Sequence, residues 1–147
     1  MIRVLALLTI VALASCNNSV NNNSTVKVKT QTDSLMDEVM EGHNVAMAKI
    51  SKLHRTKNEI QHALDSIAKL PARGRDYKTL LDSALNRLTR ADAAMEKWMS
   101  EFNMDSASND AEKRVKYLES EEIKISKVRD AIISSLQTAD SLLGRSK

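Results

Sequence analysis

Beyond residue 33 the apolar and polar positions recur with a helical period. The clearest run is Tyr77, Leu81, Ala84, Leu88, Ala91, Met95, Trp98 and Phe102, whose spacings of 4, 3, 4, 3, 4, 3 and 4 trace a seven-residue hydrophobic seam. Leu80 and Leu85 widen that stripe, which predicts a helix packed between two neighbours rather than a thin two-stranded coil. Upstream, Met36, Met40, His43, Met47, Ile50, Leu53, Ile60, Leu64 and Ile67 predict a first helix over residues 33–70. Asp33 or Ser34 is the expected cap, and Asp37 and Glu38 suit the positive end of the helix dipole. Pro71 and Gly74 should end it. A third helix should open near Asp110, after the polar residues 103–109. It should turn Val115, Leu118, Ile125, Val128, Ile132, Leu136, Ala139 and Leu143 inward and stop at Gly144.

Three long helices joined by short turns predict an all-α fold, an elongated antiparallel bundle running up, down and up. A first helix of that extent would be about 57 Å long against roughly 40 Å for the second, so some overhang is expected. A glycine inside a helix costs about 1 kcal/mol relative to alanine. Gly42 is therefore the place where the first helix would break to give the alternative, a four-helix bundle. Composition agrees with helices: the 147 residues include one proline and three glycines, with only 3% aromatic and 28% charged.

The beginning of the chain has a different texture. Arg3 precedes eleven apolar or small residues, 4–14, too few to span a bilayer as a helix and characteristic of a secretory signal. The run closes on Leu13-Ala14-Ser15-Cys16, which resembles the bacterial lipobox. That resemblance implies cleavage before Cys16 and acylation of its sulfur and new amine. At about 0.8 kcal/mol per buried methylene, three acyl chains would hold the protein to a membrane permanently. Cys16 is the single cysteine, so no disulfide can form within the chain. Residues 1–15 are thus expected to be a signal peptide and 16–32, rich in Asn, Ser and Thr, a flexible tether, leaving 33–147 as the bundle. Asn17 follows the cysteine, where an aspartate marks inner-membrane retention in some bacteria, and no acidic run marks surface export. By that analogy the protein is expected in the bacterial cell envelope, at the periplasmic face of the outer membrane.

Two segments carry a wider likeness. Met36-Asp37-Glu38-Val39-Met40-Glu41-Gly42-His43, with Met95-Glu96-Lys97-Trp98-Met99-Ser100-Glu101-Phe102, resembles a group of small helical bacterial lipoproteins, some labelled viral A-type inclusion protein-like. The resemblance implies an anchored helical domain and brings no activity with it.

Candidate chemistry is sparse. Met36, Met40, His43 and Met47 fall at i, i+4, i+7 and i+11 on one helical face, and thioether and imidazole suit cuprous ion or an axial haem position. Core packing is the expected role of that face, since methionine fills irregular interior space, and no metal or cofactor is expected. His43, His54 and His62 stand too far apart along one helix to share an ion. No phosphate loop, nucleophile elbow, zinc-protease or di-iron pattern occurs, which argues against an enzyme. Glu119, Glu121 and Glu122 are expected to face solvent, with Glu122 nearest the third seam.

Charge adds one contact hypothesis. An up-down-up bundle would gather Lys69, Arg73, Arg75, Lys78, Arg145 and Lys147 at the end far from the tether, a basic tip able to touch anionic cell-wall groups or an acidic envelope protein. Bases at helix ends also satisfy the dipole, which explains the same distribution without a partner. Nucleic acid is not an expected partner, because loss of Arg3 with the leader lowers the net charge from +3 to +2 and stacking aromatics are few. The expected role is a membrane-anchored, non-enzymatic interaction or structural module, with self-association through its wide apolar stripes. A metal- or haem-binding bundle and a holdase-type chaperone are the alternatives.

Overall fold

The computed structural model of the chain describes residues 29–68 and 75–145. The leader, Cys16, most of the tether, the Pro71 and Gly74 stop, and Lys69, Arg73 and Lys147 of the basic tip lie outside the described residues. Three helices form the expected bundle: α1 (Gln31–Ile67), α2 (Arg75–Glu101) and α3 (Ala111–Leu142). Their lengths correspond to about 56, 41 and 48 Å. The up-down-up order is visible at both ends. Tyr77, early in α2, donates its hydroxyl hydrogen to the Leu142 carbonyl at the end of α3, 2.9 Å away. At the other end His43 of α1 lies tilted beside Trp98, late in α2, whose indole reaches Glu121 early in α3.

Helix α1 opens at Gln31, two residues before the expected start, and its cap lies three residues before Asp33. Thr30 is the cap: its Oγ1 accepts from the Asp33 amide, and Asp33 Oδ2 accepts from the Thr30 amide, each at 3.1 Å. Asp33 is therefore the third helical residue of a reciprocal capping box, which satisfies two orphan donors at once. Asp110 caps α3 as expected, accepting from the Lys113 amide at 3.1 Å. The preceding turn is fastened from α3, where Arg114 donates to the Ser106 and Met104 carbonyls and the Tyr117 hydroxyl accepts from the Asn103 amide. Gly144, at φ +71°, closes the C-terminal turn of α3, a left-handed conformation that glycine adopts without strain.

The core follows the sequence closely in α2, where Leu81, Ala84, Leu88, Ala91, Met95 and Trp98 are all buried. Tyr77 and Phe102 end that seam exposed and half-buried, since they stand where the bundle opens to solvent. In α3, Leu118, Ile125, Ile132, Leu136 and Ala139 are buried as expected, and Val115, Val128 and Leu143 half-buried. Glu121 and Ser135 join that core, which the hydrophobic pattern alone does not anticipate.

In α1 the expected seam is correct from Leu53 onward and rotated before it. Val39, Gly42 and Ala46 are the buried residues of the first half. Met36, Met40 and His43 are half-buried and Met47 is exposed. The cause is the approach of α3: a Cβ on Gly42 would stand 3.1 Å from Ile125 Cγ2. Glycine lets Ile125 seat against the α1 backbone, where even a methyl group would require a shift of a few tenths of an ångström, and the methionines are turned to the flank. Gly42 is accordingly a packing position and not a break. Helix α1 runs through it continuously, and the four-helix alternative is set aside.

Any large side chain at residue 42 must push α3 away. Gly42→Leu should lower the unfolding free energy by about 1–3 kcal/mol, read by urea denaturation followed by circular dichroism, with helicity at zero urea retained. An unchanged midpoint would mean that α1 and α3 do not meet there.

Candidate functional site

The end of the bundle where α1 begins holds a ladder of rings. His43 and Trp98 have centroids 5.6 Å apart, Trp98 and Phe102 stack at 4.7 Å, and Phe102 and Tyr117 at 6.2 Å. Trp98 is buried, and a buried indole N–H needs an acceptor. Glu121 supplies it: Trp98 Nε1 donates to Glu121 Oε2 at 3.0 Å, and Lys124 Nζ donates to Oε1 at 2.7 Å. Glu121 is itself buried, so the acid expected on the solvent face is the one in the core, and Glu122, half-exposed, bonds to Ser126 instead. With both oxygens engaged, Glu121 acts as a structural acceptor. The same hydrogen bond holds Lys124 above the ordinary lysine value.

The Met/His face expected from sequence turns toward α2. Met40, Met47 and His54 are separated by sevens, as are His43 and Ile50, and His54 touches Asp92 of α2. This places the thioethers and His43 on one flank of α1 instead of in its core. His43 is occupied by its ring contact with Trp98 and by a 3.2 Å contact from Nδ1 to Asn44 Oδ1. Among the described residues, no group of three or more His, Cys, Asp and Glu side chains is gathered where it could hold a metal ion.

Midway along the α1–α2 interface lies an ionic cluster that sequence spacing does not reveal. Asp92 accepts from His54 Nε2 at 3.0 Å and from Lys57 Nζ at 2.9 Å. Partial burial works against its ionisation, but the hydrogen bonds from Lys57 and His54 prevail and hold its carboxyl below the ordinary value. Asp110 is also held low, by the Lys113 amide hydrogen bond first and then by the Lys113 ammonium.

The basic tip is only partly present as a free surface. Arg145 pairs with Glu59 and lies 3.9 Å from Asp140, while Lys78 pairs with Asp82 at 2.6 Å. Arg75 is exposed and makes no ion pair among the described residues. At the opposite end a 520 Å³ groove between α1 and α3 mixes both signs, with Glu38, Glu41 and Glu122 facing Lys29 and Arg129. Lys29 is bonded to Asp37, which raises its pKa above the ordinary value. Among the described residues, Lys78 and Arg145 at one pole and Lys29 and Arg129 at the other are matched by acids of the chain. No family model, curated protein or solved structure matches the chain.

The two lowered carboxyls fix a pH dependence. A carboxyl whose folded pKa lies below its unfolded value of about 3.9 stabilises fully above that value and loses the contribution as pH falls through the folded one. The thermal midpoint should therefore drop progressively below about pH 4. Asp92→Asn should lower stability at pH 7 by about 1 kcal/mol and flatten the acid limb of the profile. A wild-type midpoint that is flat from pH 5 to pH 2, read by circular dichroism at about half-unit steps, would contradict this assignment.

Proposed function

We propose that the chain is a lipid-anchored protein of the bacterial cell envelope, held at the periplasmic face of the outer membrane, whose bundle is a non-enzymatic interaction or structural module. The observation that carries the reading is Leu13-Ala14-Ser15-Cys16 behind Arg3 and its short apolar run. That order of charge, grease and small residues is what export and cleavage need, and a cysteine at the new N-terminus offers both sulfur and amine for acylation. No helix among the described residues is long and apolar enough to cross a membrane.

Spacing gives the reading a physical scale. Helix α1 opens fifteen residues after Cys16, and a chain of that length spans at most about 50 Å when fully extended. A bundle so tied stays within one molecular length of the lipid surface. Its role would be to hold surface grooves and charged flanks at that height for an envelope partner. The buried carboxylate is consumed by Trp98 and Lys124, which favours scaffolding over catalysis.

Expression of the full-length gene in a Gram-negative host, with mass spectrometry of the membrane fraction, tests the anchor. The expected product begins at Cys16 and carries a diacylglyceryl thioether and an amide-linked acyl chain. Cys16→Ser should abolish both additions and leave the leader uncleaved. An intact leader with a free thiol at residue 16 in the unaltered protein would overturn the proposal.

A further inference from the structure

Most cations along the bundle are matched: Lys29, Lys52, Lys57, Lys78, Lys97, Lys113, Lys116, Lys124, Arg129 and Arg145 each have a carboxylate partner. Arg87 and Arg90 do not, nor do Lys49, Arg55, Arg75 and Lys127 among the described residues, but Arg87 and Arg90 stand together beside a groove that no acid lines. Both are exposed on α2, three residues apart and so on one face, and neither makes an ion pair among the described residues. They border a 210 Å³ groove between α2 and α3. Its floor is made of small side chains, Ala91 and Ala94 from α2 and Ala131 and Ser135 from α3. No acid lines it, whereas the α1–α3 groove carries four carboxylates and a smaller 150 Å³ groove carries Asp140.

We propose that this α2–α3 groove docks an acidic helical segment of a partner protein, with its carboxylates on Arg87 and Arg90 and its small side chains on the alanine floor. The proposal rests on the reading of the chain as an interaction module and names the partner class that reading leaves open. Three features select that occupant. The groove runs between two antiparallel helices, and its floor of methyl groups lets a third backbone come close, as helix packing requires. The floor's hydroxyls are already used: Ser135 donates to the Ala131 carbonyl at 2.6 Å, and Ser134 to the same oxygen at 3.3 Å. A glycan, which needs hydrogen-bond partners across its whole face, would find few there. The rim is the reverse: two guanidiniums with ten N–H donors between them and no internal acceptor, the geometry that binds carboxylates in pairs. Carboxylates three or four residues apart on a docking helix would match the spacing of Arg87 and Arg90.

Fluorescence anisotropy with the full chain in zwitterionic detergent tests this directly. The probe is a labelled synthetic helix with glutamates three and four residues apart beside an alanine stripe. The wild-type protein should bind it, and the same peptide with lysines in place of the glutamates should not bind. Arg87→Glu combined with Arg90→Glu should weaken binding by about tenfold or more. Ala94→Leu, which fills the floor and leaves the charge unchanged, should weaken it to a similar degree, while Arg75→Glu should leave it unaltered. Should the charge reversals unfold the chain by circular dichroism, Arg87→Gln with Arg90→Gln replaces them. No binding by the wild type, or equal binding by every variant, would overturn the proposal. So would competition by alginate that is as strong in Ala94→Leu as in the wild type, which would mark an unshaped polyanion surface. The peptide readout is independent of the mass of Cys16, so loss of the anchor and loss of the groove are separately visible.

Discussion

Against the backbone of α1 at Gly42, Ile125 of α3 sits so near that an added Cβ would be 3.1 Å from its Cγ2. That approach fixes the rotation of the longest helix. With Gly42 inward, Val39 and Ala46 follow it into the core, and Met40, His43 and Met47 are carried to the flank facing α2. The glycine forfeits about 1 kcal/mol of helix propensity relative to alanine. Close packing between helices recovers it, because dispersion depends steeply on distance. Helix α1 makes its most extensive contact with α3, as this seat would lead one to expect.

The same rotation organises the polar interior. His43, once on the flank, meets Trp98, whose indole then turns to Glu121 on α3. A ring contact between α1 and α2 and a hydrogen bond between α2 and α3 thereby link the three helices through Trp98. Farther along, His54 and Lys57 reach Asp92 on the same flank of α1. Each buried or half-buried acid is met by donors, so leaving one unpaired would be costly while their net contribution stays modest. These pairs therefore act chiefly to select one register among the sliding alternatives open to a regular bundle. Two buried atoms are exceptions, the Thr56 hydroxyl and Asp140 Oδ1, neither of which has a hydrogen-bond partner among the described residues.

Much of the fold was readable in the residue pattern, for a reason that also explains the misses. A seven-residue seam built of large apolar side chains, as in α2, identifies its buried face without ambiguity. In the first half of α1 two faces competed: a methionine-rich one and a narrower one of valine, glycine and alanine. Apolar pattern weighs side-chain size, whereas a close helix crossing rewards smallness, so the pattern points to the methionine face and the packing buries the other. Residue type alone points Glu121 to solvent, whereas the structure buries it. Its position, three residues after Leu118 and four before Ile125, is a seam position, and Trp98 across from it needed an acceptor. Of the candidate contact residues, the structure pairs Lys78 with Asp82, a partner four residues along the same helix that spacing does show, and Arg145 with Glu59 of another helix, which spacing could not show. Arg87 and Arg90 carried no distinguishing signal until the small residues of α3 were brought beside them.

Among the described residues most cations are paired, and Arg87 and Arg90 are unpaired cations that border a groove free of acids. The bundle's value as a platform depends on α1 staying seated against α3 along its full length, glycine included. Backbone amide hydrogen exchange across α1 tests that seat most directly. Amides of residues 39–46 should exchange as slowly as those around Leu53 and Ile60, through global unfolding alone. Exchange of residues 39–46 at the rate of a fraying terminus, with the rest of α1 protected, would contradict it.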